Sequence, residues 1–153
     1  MSADPTPTPA ELDQALDGLV HWFQTLSPES VSHIGRHYAD QVRFKDPFND
    51  VQGLPAVQAI FSHMFEQLHA PRFVVRERMR SGQRAFLSWD FVFRFRRYDT
   101  HREQIIHGAT HLELDALGRV TVHRDYWDAA EELYEKLPLV GGLMRWLKAR
   151  ARS

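Results

Sequence analysis

The stretch Ala85–Arg97, AFLSWDFVFRFRR, does most to limit what this chain can become. Leu87, Trp89, Phe91, Phe93 and Phe95 fall on one parity, and Ser88, Asp90, Arg94 and Arg96 on the other. Successive side chains of a strand point to opposite faces, so this is a strand with one dry face. Burying each large apolar side chain is worth roughly 1.5–3 kcal/mol, which puts Trp89 inward and Asp90 outward unless a bulge intervenes. Such a face needs a second layer against it.

Helical spacing supplies that layer. Thr8 can cap a helix with Pro9 at its first position and Glu11 returning to the cap, and Leu12, Leu16, Leu19, Val20 and Phe23 carry the apolar stripe to about Leu26. SPES then caps a second helix through Ile34 and Tyr38. A third, LPAVQAIFSHMFEQL, places Val57, Ile60, Phe61, Met64, Phe65 and Leu68 on one wide face. Before it, QVRFKDPFNDVQG reads as a short strand broken at Asp46-Pro47, a turn and a brief return strand.

Four extended segments, roughly 71–80, 84–98, 103–115 and 119–127, are separated by SGQ, YDTH and DALG, the short polar turns of an antiparallel meander. In the first, Phe73, Val75 and Met79 share a parity opposite Arg72, Arg76, Arg78 and Arg80. The predicted class is α+β, a curved antiparallel sheet wrapped around N-terminal helices with a pocket between them. Residues 1–9 are predicted to be a disordered tail, 10–137 the domain, and 138–153 a C-terminal amphipathic helix in pieces broken at Pro138 and Gly141-Gly142. Val140, Leu143, Met144 and Leu147 lie on one side of it and Arg145, Lys148 and Arg152 around the other.

Composition narrows the function. The 153 residues, 43% of them hydrophobic, suit one domain, and a net charge of −1 provides no field drawing the chain to nucleic acid. Without cysteine there is no thiolate catalysis, disulfide or sulfur-ligated zinc. His33/His37 and His107/His111 are spaced by four, yet no HExxH accompanies them, so surface histidines and no metal are expected. No glycine-rich loop precedes a helix, so no nucleotide or other cofactor is expected. With no leader-like start and no apolar run of about 18 residues, a cytoplasmic protein is expected. The basic tail could touch a membrane surface, but packing on its own domain or on a partner, or lidding a pocket, is favoured.

Two motifs carry a resemblance. HYADQVRFKDPFNDVQG resembles the helix-to-strand signature of ketosteroid isomerases, and GRVTVHRDYWDAAEELYEKLP is similar to the last strand of limonene-epoxide hydrolases. With the order of elements, residues 10–137 resemble the nuclear transport factor 2-like superfamily, which also holds the SnoaL-like polyketide cyclases. The resemblance implies a cone-like barrel that pairs as a homodimer through its outer sheet wall. It places Asp46 where the isomerases keep a proton-shuttling base, Asp125 where the hydrolases keep one catalytic aspartate, and Asp90 near their other. Departures are equally plain. Trp22 and Thr110 stand where the isomerases hold an oxyanion with tyrosine and a protonated aspartic acid, and Ser88 stands for the hydrolases' arginine. Phe44 and Asp46 replace the hydrolases' water-holding tyrosine and asparagine.

Within RVTVHRDYWD the two readings collide. Val120, Val122 and Tyr126 share one parity and Thr121, His123, Asp125 and Trp127 the other, so local pattern sends His123 and Asp125 to solvent whereas the resemblance turns them inward. Turned inward, they form a polar-aromatic strip along a cavity walled by Trp22, Phe44, Phe61, Trp89, Phe91 and Trp127, with Asp90 a further candidate. Asp46 is either a turn aspartate bonding its own backbone or a general base. The expected function is binding of a small, mostly apolar molecule, with proton transfer or water addition by Asp46 or Asp125, His123 as a second acid-base group, and Trp22 and Thr110 as donors. The alternative is a non-catalytic module whose C-terminal helix docks a partner or membrane. Asp128 is expected to cap the helix after the last strand.

Overall fold

A computed structural model describes residues 5–134 and 138–152, with the backbone alone described at 138–140 and 144. The tail assignment over residues 1–4 and the end of the domain at 135–137 lie outside the described residues. Helix α1, Pro9–Gln24, opens with the expected capping box between Thr8 and Glu11 and buries Leu12, Leu16, Leu19, Trp22 and Phe23. The second helix is shorter than its spacing predicted: α2 is Pro28–Val31, a 3₁₀ turn covers Ile34–Arg36, and Tyr38 already begins strand β1, Tyr38–Lys45. Strand β2, Asp50–Gln52, returns antiparallel, and α3, Leu54–Gln67, follows. The remaining strands are β3, Leu68–Ser81, β4, Arg84–Phe95, β5, Gln104–Leu114, and β6, Val120–Tyr126.

One curved, unclosed sheet runs in the order β2-β1-β6-β5-β4-β3. All pairings are antiparallel except that β1 lies parallel to β6, which a pure meander did not anticipate. The α+β class and the covering helices are as the pattern required. On β4, Leu87, Trp89, Phe91 and Phe93 are all buried and join α1, α3 and the 3₁₀ turn in one core.

Two bulges overturn strict alternation. In β3, Val75 pairs with Trp89 but Glu77 with Ser88, so Arg76 is an extra residue and parity reverses beyond it. Met79, expected inside, is therefore 66% exposed, while Arg78 and Arg80 cross to the helix side and pair with Asp17 and Asp13 of α1. In β6, Glu113 pairs with Val122 but Leu114 with Val120, leaving Thr121 extra. Val120 below the bulge and His123 above it then face the same interior, at 0% and 3% exposure.

Asp128 caps α4, Ala129–Glu132, through Ala130 and Glu131 N–H. Helix α5, Pro138–Ala151, runs unbroken through Gly141-Gly142, correcting the expected split, and exposes Leu143, Trp146 and Leu147. No helix among the described residues is long and apolar enough to cross a membrane.

The β6 bulge makes two neighbouring valines unequal. Val120→Thr is expected to cost about 1–3 kcal/mol, because its hydroxyl is buried, whereas Val122→Thr at a half-buried position stays within about 0.5 kcal/mol. Urea unfolding of the two variants checks this, and equal costs would contradict the bulge.

Candidate functional site

The bulge at Thr121 delivers His123 and Asp125 into a hydrogen-bonded chain that spans the sheet. The Trp89 indole N–H donates to Thr110 Oγ1 at 2.7 Å, and the Thr110 hydroxyl donates to Asp125 Oδ1 at 2.6 Å. From the other side His123 Nε2 meets the same Oδ1 at 2.7 Å, and Tyr38 Oη lies 2.7 Å from His123 Nδ1. A carboxylate only accepts, so His123 donates from Nε2. Burial, then the charge of Asp125, pushes the Tyr38 phenol well above its ordinary range, so Tyr38 keeps its proton. Thr110 and His123 thus both donate to one oxygen of Asp125.

Aromatic packing fixes these groups. His123 lies 4.6 Å from the Phe44 ring centroid and is stacked at 25° with Tyr38. Gly108 faces Trp89 across the β4–β5 ladder, and a Cβ there would come within 2.4 Å of the indole. Only a bare backbone at that position lets Trp89 lie flat over β5 and reach Thr110.

Above the chain a cavity of ≈ 730 Å³ opens to solvent. Phe44, Phe61, Trp89, Phe91 and Trp127 line it, and Asp125 contributes to its wall. Phe73, Phe93, Phe95 and Ile106 extend that wall, and Phe48, His63, Gln67 and Leu133 also border the cavity. Below lies a recess of ≈ 20 Å³ bounded by Phe23, Val75, Thr110, His123 and Asp125, large enough for one water.

Asp46 also borders the cavity, but its carboxylate is held by its own turn. Oδ1 accepts the Phe48 and Asn49 N–H groups at 2.8 and 2.7 Å, and the Asn49 side-chain amide reaches both oxygens. Trp22 does not line the cavity. Its ring packs under Phe61 and Tyr38, and its N–H donates to the Ser30 carbonyl at 3.0 Å, so it supplies no donor to a ligand. Asp90 likewise sits outside, as alternation required. On the outer sheet face it accepts from Arg76 Nε at 2.8 Å and from His107 Nδ1 at 2.6 Å.

Helical spacing continues through Tyr38, so the local pattern does not single it out; the available signal is a phenol heading a strand of otherwise alternating residues. Phe73, Phe93 and Phe95 were readable as core, and nothing in the pattern separated cavity wall from filled core.

Arg76 first, then His107, holds the Asp90 carboxyl below the ordinary carboxylate range. A depressed folded value stabilises the fold fully above the unfolded value, near pH 3.9, and that contribution is lost as pH falls through the folded one. Asp90→Asn is expected to cost about 1 kcal/mol at neutral pH, discounted for the exposed Arg76, and to flatten the acid loss of stability below about pH 4. Urea unfolding across pH measures both, and an unchanged acid slope would contradict the assignment.

A family model for the SnoaL-like domain matches residues 19–123. No curated protein matches the sequence. Among solved structures, a SnoaL-like polyketide cyclase candidate from Jannaschia sp. CCS1 is similar with a TM-score of 0.69 and 14% identity, over 85% of this chain and 94% of that one. An LEH-like epoxide hydrolase from M. tuberculosis aligns with a TM-score of 0.65 and 16% identity, over 84% and 86% of the two chains. A ketosteroid isomerase-like protein from Catenulispora acidiphila, in complex with trimethylamine, has a TM-score of 0.65 and 14% identity over 84% and 92%. At such identities the likeness is one of fold.

Proposed function

The chain belongs to the SnoaL-like domain family, and from that premise we propose that it binds a small, mostly apolar molecule in its aromatic cavity and uses Asp125 as a general base. The observation that carries this reading is the convergence of Thr110 and His123 on Oδ1 of Asp125. Among the described residues both hydrogen bonds to that carboxylate fall on one oxygen, which leaves Oδ2 for a ligand or water. The recess beside it has room for the water whose proton Asp125 would take. His123 orients the base rather than shuttling a second proton, since its two ring nitrogens are both engaged.

The same geometry favours water addition or proton abstraction over isomerisation through an enolate. An oxyanion needs donors aimed at it, and the donors at the floor are already spent on Asp125. Trp22 is spent on Ser30. Asp46, saturated by backbone and amide N–H groups, holds the turn at the cavity mouth.

Turnover of a panel of apolar epoxides in ¹⁸O-labelled water tests this. Asp125→Asn is expected to lower the rate by about 10²–10⁴-fold with Asp46→Asn close to wild type, and equal loss in both, or none in Asp125→Asn, would overturn the assignment.

We also propose a homodimer through the outer sheet face, where Met79, Phe86 and Tyr126 are exposed at 66%, 48% and 48%. Light scattering is expected to give a dimer that Phe86→Glu converts to monomer. A monomer at every concentration would refute it.

A further inference from the structure

We propose that the cavity selects cations, taking small apolar molecules that carry an ammonium centre; this rests on the cavity being a ligand site and narrows its ligand class. Among the described residues no lysine or arginine lines the cavity. The charged side chains bordering it among the described residues are Asp46 and Asp125, with His63 at the rim beside Glu66.

Asp125 is met by Thr110 and His123 and, among the described residues, by no lysine or arginine. Its donors are the Thr110 hydroxyl and the His123 Nε2–H, and its side chain is 14% exposed. Asp90, equally covered at 14%, shows the usual remedy, because Arg76 sits directly on it. A charge kept away from bulk water without a counter-ion is costly, and the cost falls when a cation arrives. Asp46 differs again, its charge being spread over the N–H groups of its own turn.

The walls add a second attraction. Trp89, Phe91 and Trp127 line the same cavity as Asp125, and an ammonium over an indole or phenyl face gains from the ring quadrupole. An anionic ligand finds, among the described residues, neither a basic side chain nor a floor donor that is not already committed. A neutral ligand gains only the apolar burial that a cation with the same methyl groups also gains.

Phenyltrimethylammonium and tert-butylbenzene have the same shape and differ in charge, so their comparison isolates the claim. Titrated into the full-length ¹⁵N-labelled protein, the cation is expected to bind about tenfold more tightly, shifting the Trp89 and Trp127 indole signals. Asp125→Asn should bring the two affinities together, and Trp127→Leu, at a half-buried rim position that leaves the core intact, should narrow the gap in part. Equal or tighter binding of tert-butylbenzene to wild type overturns cation selection while leaving the apolar cavity reading standing. If neither compound moves the cavity signals, the cavity reading fails and this inference with it.

Discussion

A carboxylate enclosed by aromatic rings must be met by donors, and the way Asp125 is met organises the rest of this molecule. Thr110 can donate to it because Trp89 fills the other side of the Thr110 oxygen, and Trp89 can do so because Gly108 leaves the face of β5 bare. His123 can donate to it because Tyr38, fully buried at the start of β1, holds the opposite ring nitrogen. Four elements of the fold, β1, β4, β5 and β6, thus meet at one oxygen atom.

That meeting depends on a defect in regularity. A β6 strand without its extra residue would send either Val120 or Asp125 to the wrong side, and each alternative is expensive: an exposed core valine, or a sheet whose inner face lacks its polar centre. The bulge in β3 serves the outer wall in the same manner, turning Arg78 and Arg80 onto the acidic side of α1 and leaving Arg76 for Asp90.

How much of this could be read beforehand follows from what each signal measures. The capping box at Thr8, the stripe on α1 and α3, the turn at Asp46-Pro47 and the dry face of β4 are local, since residues near in sequence dictate them. Asp90 could be placed outward on the same grounds. The bulges at Arg76 and Thr121 are not local, because an extra residue shows only when the partner strand fixes the register, and so Met79 was misplaced and the face of Asp125 was undecidable from its own strand. Tyr38 failed for a related reason: α2 stops after one turn, and nothing in SVSHIGRHY forbids the helix from continuing except the sheet that β1 must join. The resemblance makes Trp22 a donor to ligand, whereas the nearness of the Ser30 carbonyl, a matter of how α1 and α2 pack, takes its N–H.

The four tryptophans sit at four depths of this architecture: Trp22 beneath the cavity, Trp89 at its floor, Trp127 at its wall and Trp146 out on α5. Their emission is therefore a built-in depth gauge. A molecule entering the cavity touches the second and third and leaves the first and last alone, so unlabelled protein carries both the probe for occupancy and its own internal reference.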